Sequence, residues 1–310
     1  MENIIEVKNL TKDYGHGRGI FDFSFGVKQG SVFGLVGTNG SGKTTTIRHM
    51  MGFIKSDKGS VAIHGLDAWK DAAKIKKMVG YIPGQIDFPD VGTGTAFLKI
   101  QADMLGMKDF SYMNDLIDRF KIDITAPLKR MSKGMKQKMG IVAAFMAQPD
   151  IYLLDEPSTG LDPLMRDTLI ELILEQKAQG KTIFLSSHIF KELEDTCDSV
   201  LFIYDGRMVD ITDRSLYEAD PRETYTFTLA DEEEYILCRD KVQEFIDGHP
   251  EAGIQCWRRH RHHSFTLNLP VALLNELFSL FARYTVTALG SEPFTLEKYY
   301  TTIIENVEDK

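Results

Sequence analysis

Short apolar, β-branched runs alternate with helix-like periodicity from Ile4 to about Asp213. Ile20–Val27, Ser31–Val36, Val79–Ile82, Ile151–Leu154, Thr182–Leu185 and Val200–Tyr204 read as strands. Strands that are apolar at nearly every position are buried on both faces, which predicts an α/β domain around a mostly parallel sheet. Between Gln85 and about Pro149 the strand pattern gives way to helical stretches such as Thr95–Met104 and Tyr112–Phe120, so a helical insertion is expected inside the α/β core. The pattern breaks at Thr212–Arg222. Beyond it come strand Thr224–Leu229, helix Glu232–Asp247, strands Gly253–Arg259 and Ser264–Leu269, helix Val271–Arg283, strand Thr285–Leu289 and a last helix Thr295–Asn306. The order βαββαβ predicts a small ferredoxin-like α+β accessory domain. The expected division is 1–215 for the α/β domain, with a helical subdomain over about 86–148, and 220–310 for the accessory domain.

With 310 residues and 43% hydrophobic content the chain can bury a full core, which argues against disorder. Its 36 Lys+Arg against 45 Asp+Glu give a net charge of -9, so no overall attraction to nucleic acid or an anionic lipid surface is expected. Cys197, Cys238 and Cys256 have no CxxC spacing; neither a disulfide framework nor a four-cysteine zinc site is indicated, and a reducing compartment fits best. The acidic opening Met1–Glu2–Asn3 does not read as a secretory signal. The apolar stretches Ile141–Ala147 and Val271–Val286 are too short or too interrupted by charge to span a bilayer, which needs about 18 to 20 apolar residues.

The strongest chemical signal follows the strand ending at Val36. Gly37-Thr38-Asn39-Gly40-Ser41-Gly42-Lys43-Thr44 satisfies GxxxxGK[ST], with the helical run beginning at Thr45 directly after it. Its glycines let successive backbone N–H groups face phosphate oxygens, and the helix N-terminus adds a favourable dipole. Lys43 is placed to reach the β- and γ-phosphates of a nucleotide, and the Thr44 hydroxyl to bind Mg²⁺. Farther along, the apolar run Ile151–Leu154 ends in Asp155 and Glu156. Carboxylates at a strand end face the crevice where α/β sheets bind ligands. Asp155 is the candidate for the Mg²⁺ shell, through water, and Glu156 for the general base acting on the attacking water.

Asp155-Glu156-Pro157 continues as Ser158-Thr159-Gly160-Leu161-Asp162, and Ser186-Ser187-His188 follows a later strand. These strings resemble the Walker B, catalytic glutamate, D-loop and switch histidine of the ABC ATPases. The family's LSGGQ signature is matched by Met131-Ser132-Lys133-Gly134-Met135-Lys136-Gln137-Lys138, which departs from it at Met131, Lys133 and Met135 but keeps Ser132 and Gly134. The KGMKQ form is similar to that of ABC-2-type exporter subunits of the bacitracin and antibiotic resistance kind, and Glu292-Pro293-Phe294-Thr295-Leu296-Glu297 resembles their C-terminal ending.

The resemblance covers about two thirds of the chain. It implies a P-loop NTPase that binds ATP with Mg²⁺ and hydrolyses it, pairing with a second ATPase subunit as a homodimer in which Ser132 and Gly134 serve the partner's nucleotide. It further implies membrane permease subunits on other polypeptides, no nucleic-acid partner, and a place at the cytoplasmic face of the membrane. By resemblance His188 contacts the γ-phosphate and steadies Glu156 and the water, and Tyr14 stacks on adenine. The family's Q-loop glutamine position holds Gly84 here, one residue before Gln85, which is the expected Mg²⁺ and water ligand. Three other readings remain open: a soluble ABC protein acting on ribosomes or DNA, a P-loop kinase, and a nucleotide-gated regulatory subunit with little turnover. Trp257-Arg258-Arg259-His260-Arg261-His262-His263 reads as an exposed hairpin, with nucleic acid, or a metal bound by His260 and His262 from one strand face, as the alternatives. Asp231–Glu234 reads as an acidic first helical turn, and Met113, Met131, Met135, Met139 and Met146 as core or contact fillers.

Overall fold

The computed structural model describes residues 3–213, 222–293 and 295–308. The expected domain boundary at 215–220 and Phe294 of the C-terminal hexapeptide lie outside them. The chain divides into two compact units, Met1–Ile211 and Thr212–Lys310.

The first unit carries two sheets. Strands β1 (Asn3–Asp13), β2 (Gly19–Lys28), β4 (Lys58–Ile63) and β5 (Leu66–Asp67) form an antiparallel sheet in the order β2-β1-β4-β5. Strands β3 (Val32–Gly37), β6 (Val79–Ile82), β7 (Ile151–Asp155), β8 (Thr182–Ser186), β9 (Ser199–Tyr204) and β10 (Arg207–Asp213) form the second, in the order β10-β9-β3-β8-β7-β6. Its pairs β9-β3, β3-β8, β8-β7 and β7-β6 are parallel. All residues of β3, β7 and β8 are buried, which is why their sequences are apolar without alternation. The expected parallel sheet is thus present, and the antiparallel sheet stands beside it as a separate layer. Phe25 of β2 stacks on Phe33 of β3 at 5.5 Å, and Phe33 on Phe184 of β8 at 5.8 Å, so aromatic rings join the two sheets. Such rings bring both large apolar area and a preferred offset geometry.

Helices α1 (Lys43–Met50) and α2 (Ala72–Met78) pack on the strands, α1 against β4 and β7 and α2 against β6. Between β6 and β7 lie α3 (Gly94–Met104), α4 (Ser111–Arg119) and α5 (Lys133–Phe145), followed after β7 by α6 (Pro163–Ala178) and, after β8, by α7 (Phe190–Thr196). Thr93 caps α3 by accepting from the Ala96 N–H, and Ser132 caps α5 by accepting from the Met135 N–H. A buried chain ties the insertion to the sheet: Tyr152 OH donates to Gln176 Oε1 (2.7 Å), and Gln176 Nε2 donates to Tyr112 OH (3.0 Å).

In the second unit β11 (Arg222–Leu229), α8 (Glu232–Asp247), β12 (Gln255–Arg259), β13 (Ser264–Pro270), α9 (Leu274–Phe281), β14 (Val286–Pro293) and α10 (Leu296–Glu308) follow one another. The sheet runs β12-β13-β11-β14, antiparallel throughout, over a core that includes Phe227, Tyr235, Phe265 and Phe281. Two sequence readings need adjustment here. Val271–Leu273 is a 3-10 turn before α9, because β13 runs on through Pro270. The histidine run does not lie on a strand face: β12 ends at Arg259, His260–His262 form a 3-10 turn, and His263 turns left-handed at φ 46°. The His260 ring packs edge-on against Tyr235 at 5.4 Å, and His260 Nε2 stands 3.6 Å from Glu232.

Candidate functional site

The carboxyl ends of β3, β8, β7 and β6, consecutive neighbours in one sheet, deliver Gly37–Thr44, Ser186–His188, Asp155–Glu156 and Pro83–Gln85 to the same edge. A cleft of about 420 Å³ opens there. Its lining includes Thr38, Asn39, Gly40, Gly42, Lys43, Thr44, Thr45, Gln85 and Glu156 of the expected site residues. The strand carrying Asp155 is separated from β3 by β8, so the Ser186–His188 segment lies between the phosphate loop and the carboxylates.

The loop's shape follows from its glycines. Gly42 takes φ 112°, and a Cβ there would stand 2.4 Å from Ile20 Cγ2, so only glycine can lead into α1. Gly42 supplies no side-chain cap, which leaves the first N–H groups of α1 for a ligand. Gly37 packs on Ser41, whose buried Oγ has no hydrogen-bond partner. Lys43 is almost fully buried; its Nζ donates to Gly37 O (2.7 Å) and Thr38 O (3.4 Å) and lies 3.3 Å from Glu156 Oε1. A buried ammonium needs such partners, and phosphate oxygens are of the same kind.

Ser186 fixes both carboxylate positions. Its Oγ donates to Asp155 Oδ1 (2.7 Å) and accepts from the Glu156 N–H (3.1 Å), while Ser186 O accepts from the same N–H at 3.0 Å. Glu156 is held at φ 51°, a left-handed conformation that costs about 1–3 kcal/mol and aims its side chain back over the loop. Its Oε2 meets His188 Nδ1 at 2.5 Å and the His188 N–H at 3.3 Å. Both carboxylate oxygens are thus engaged beside the phosphate loop, Oε1 by the Lys43 ammonium and Oε2 by His188. Asp155 is fully buried, and its Oδ2 has no hydrogen-bond partner. An orphaned carboxylate oxygen costs about 1–3 kcal/mol or more, and such an atom suits a divalent cation; Thr44 and Gln85 line the cleft, whereas Asp155 lies buried behind it.

Gly84 holds the expected glutamine position, and a Cβ there would meet Asp155 Oδ2 at 2.8 Å, so a side chain does not fit without a shift. Gln85 lines both this cleft and an adjoining one of about 450 Å³ bounded by Met131, Lys133, Lys136 and Gln137 of α5 and its approach. Ser132 and Gly134 are elsewhere: neither lines the loop cleft. Gly134 instead lies against the Ser158–Asp162 loop, where a Cβ would stand 2.7 Å from Gly160 O, and Gln137 Nε2 donates to Pro157 O (2.7 Å). Tyr14 sits in the β1–β2 turn, half exposed, and does not line the cleft; its neighbour in that hairpin, Ile20, touches Gly42.

A family model described as "ABC transporter" matches residues 20–159. The uncharacterized ABC transporter ATP-binding protein YhcH of Bacillus subtilis (strain 168) is 34% identical over 242 residues, covering 73% of this chain and 75% of that one. The bacitracin transport ATP-binding protein BcrA of Bacillus licheniformis is 31% identical over 250 residues, 80% of this chain and 82% of its own. The chain belongs to the ABC transporter ATP-binding family. As an ABC ATPase it binds and hydrolyses ATP, and its fold agrees: a solved structure titled as the ATP binding subunit of an ABC transporter superposes with TM-score 0.63 at 33% identity, over 68% of this chain and 90% of that chain.

Two further residues that line this cleft escaped sequence reading. Arg48 lines the cleft one helical turn beyond Thr44, a spacing that could have singled it out. Tyr81 lines it too, and burial, with Asp155 nearby, pushes its phenol up to about 12. Gln137 joins α5 to Pro157 across twenty residues of sequence, a pairing that no local pattern reveals.

Proposed function

We propose that two copies of this subunit enclose two ATP molecules with Mg²⁺ and drive a separate membrane permease, in an exporter. One observation carries the pairing: Ser132 and Gly134, at the N-terminus of α5, do not line the chain's own nucleotide cleft. A hydroxyl and a closely approachable backbone at a helix N-terminus suit a γ-phosphate. They would therefore serve the nucleotide of a second subunit, with Ser158–Asp162 at the boundary.

Within each site the Gly37–Gly42 N–H groups and Lys43 take the phosphates, Thr45 adds to the loop's lining, and Tyr14 stacks on adenine. Thr44, Asp155 through water, and Gln85 would hold Mg²⁺, which offsets the negative charge of the β- and γ-phosphates. Glu156 takes the proton of the attacking water as the water oxygen bonds to the γ-phosphorus and the bond to the ADP oxygen breaks. His188 orients Glu156 and contacts the γ-phosphate.

Support for a permease comes from a groove of about 610 Å³ that includes Ile86, Phe88, Phe97 and Leu105. It adjoins Gln85, and on α3 Ile100 and Met104 are exposed nearby. Among the described residues no helix is long and apolar enough to cross a membrane. The exporter direction rests on the resemblance of the Met131–Lys138 string to that of ABC-2-type exporter subunits, and such a subunit would sit at the cytoplasmic face of the membrane through its permease. The residues after the 215–220 boundary are proposed as a small α+β accessory domain.

Mg-ATP hydrolysis by the purified protein tests the assignment. Glu156→Gln should lower kcat by about a hundredfold or more while ATP binding stays within a few fold. Hydrolysis at the normal rate in Glu156→Gln contradicts it.

A further inference from the structure

Glu192 lies in the first turn of α7 with no solvent exposure, four residues after His188. Its Oε2 accepts from two hydroxyls, Ser187 Oγ at 2.6 Å and Ser158 Oγ at 3.0 Å. The Ser187 Oγ in turn accepts from the Ile189 N–H at 3.0 Å. One carboxylate oxygen thus holds the residue before His188 and the second residue after Glu156. It joins the two segments that carry the closest contact of the site, Glu156 Oε2 to His188 Nδ1.

This arrangement is expensive. Burial pushes the Glu192 carboxyl up, the Ser187 and Ser158 hydroxyls oppose that shift, the nearby Glu156 charge adds to it, and Arg166 counters weakly. Glu192 Oε1 has no hydrogen-bond partner, and Arg166 Nε, also buried, has none. Packing alone does not call for a carboxylate here, because an apolar side chain in a buried helix position avoids the whole desolvation cost. What the carboxylate adds is the connection between the two loops.

We propose that Glu192 is a positioning residue for ATP hydrolysis, clamping Ser158 and Ser187 so that the Ser158–Asp162 loop and His188 move as one piece. A second subunit arriving against Ser158–Asp162 then sets the Glu156–His188 pair through Glu192, a deepening that rests on the two-subunit reading above. The clamp transmits position and does not touch ATP.

The test is steady-state Mg-ATP hydrolysis together with binding of a fluorescent ATP analogue, on Glu192→Ala, Glu192→Gln, Ser158→Ala, Ser187→Ala and the double serine variant. Glu192→Ala should lower kcat about tenfold or more, the worth of a hydrogen bond to a charged group, with KM and analogue binding within about twofold. Glu192→Gln should recover most of the rate, since its amide oxygen accepts from both hydroxyls. The two serine changes should combine to less than the product of their separate effects, because each acts through the same oxygen. A kcat for Glu192→Ala within twofold of wild type, or Glu192→Gln as damaging as Glu192→Ala, overturns the clamp. Should Glu192→Ala fail to fold, the serine pair decides: a full multiplicative loss in the double variant overturns the clamp and a smaller loss supports it. Glu156→Gln run in parallel keeps the two readings apart. Normal hydrolysis in Glu156→Gln refutes the site assignment, whereas its loss beside a normal Glu192→Ala refutes the clamp alone.

Discussion

Adding one methyl group at Gly84 perturbs the junction between the β6 loop and Asp155. The new Cβ would lie 2.8 Å from Asp155 Oδ2 and 3.1 Å from its Cγ. Asp155 cannot simply turn away, since it is fully buried and its Oδ1 receives the Ser186 hydroxyl at 2.7 Å. Rotating the carboxylate forfeits that charge-assisted bond, about 1.5–3 kcal/mol, and moving the loop instead displaces Gln85 from the cleft. Gly84→Ala should therefore lower the melting temperature of the ATPase unit by about 3–12 °C, at roughly 2–4 °C per kcal/mol for a unit of this size. Saturating the protein with ATP in the absence of Mg²⁺ should restore little of this, because the phosphate loop is untouched. Mg-ATP turnover should fall about tenfold or more, as the two cation-side groups lose register. Scanning calorimetry and a coupled ATPase assay on the same preparation read both quantities. A Gly84→Ala protein with unchanged melting and unchanged turnover refutes the view that the loop is glycine because Asp155 approaches it.

Tyr152→Phe should leave Gln176 Oε1 buried without its donor and destabilise the first unit by about 1–3 kcal/mol, read as a lower urea midpoint; an unchanged midpoint shows that the Tyr152–Gln176–Tyr112 chain contributes nothing. Gly134→Ala drives a methyl group to 2.7 Å from Gly160 O, so ATP affinity should stay within about twofold while turnover drops tenfold or more; parallel losses of both contradict the separation of α5 from the chain's own cleft. His49 is buried with an unpartnered Nε2, and burial holds its pKa below the usual value. The unfolded chain takes up a proton near pH 6.5 that the folded chain resists, so His49 makes stability fall as pH drops below about 6.5. His49→Leu should flatten that decline between pH 7.5 and 5.5 in urea titrations; an unaltered slope refutes the assignment.

How much of this was legible before the structure depends on whether a residue acts through its neighbours in sequence. Val32–Gly37 and Ile151–Asp155 are apolar almost throughout because both faces of their sheet are covered, so the strands and the loops at their ends can be read directly. The phosphate loop is a contiguous string, and so are the Asp155–Asp162 and Ser186–His188 segments. Strands β4 and β10 have exposed or half-exposed positions and polar residues, and neither shows a run that stands out. The antiparallel sheet escaped for a second reason: partners such as Val7 and Val61 lie far apart in sequence, and register is set by tertiary pairing. Gln85 could be named, but the close approach of Gly84 to Asp155 at the end of the neighbouring strand could not be foreseen. Glu192 reads as one more polar residue of a short helix. Its role emerges only when Ser158, thirty-four residues earlier, is seen to share its oxygen with Ser187.

The central claim is that two chains share their nucleotide sites, each completing the other's with Ser132 and Gly134. Light scattering behind size exclusion on the Glu156→Gln protein tests it most directly, with and without Mg-ATP. The account predicts a monomer of about 35.1 kDa without nucleotide, a doubled mass with Mg-ATP, and loss of that doubling in Glu156→Gln/Ser132→Arg. A protein that binds Mg-ATP and stays at monomer mass, or a dimer indifferent to Ser132→Arg, contradicts it.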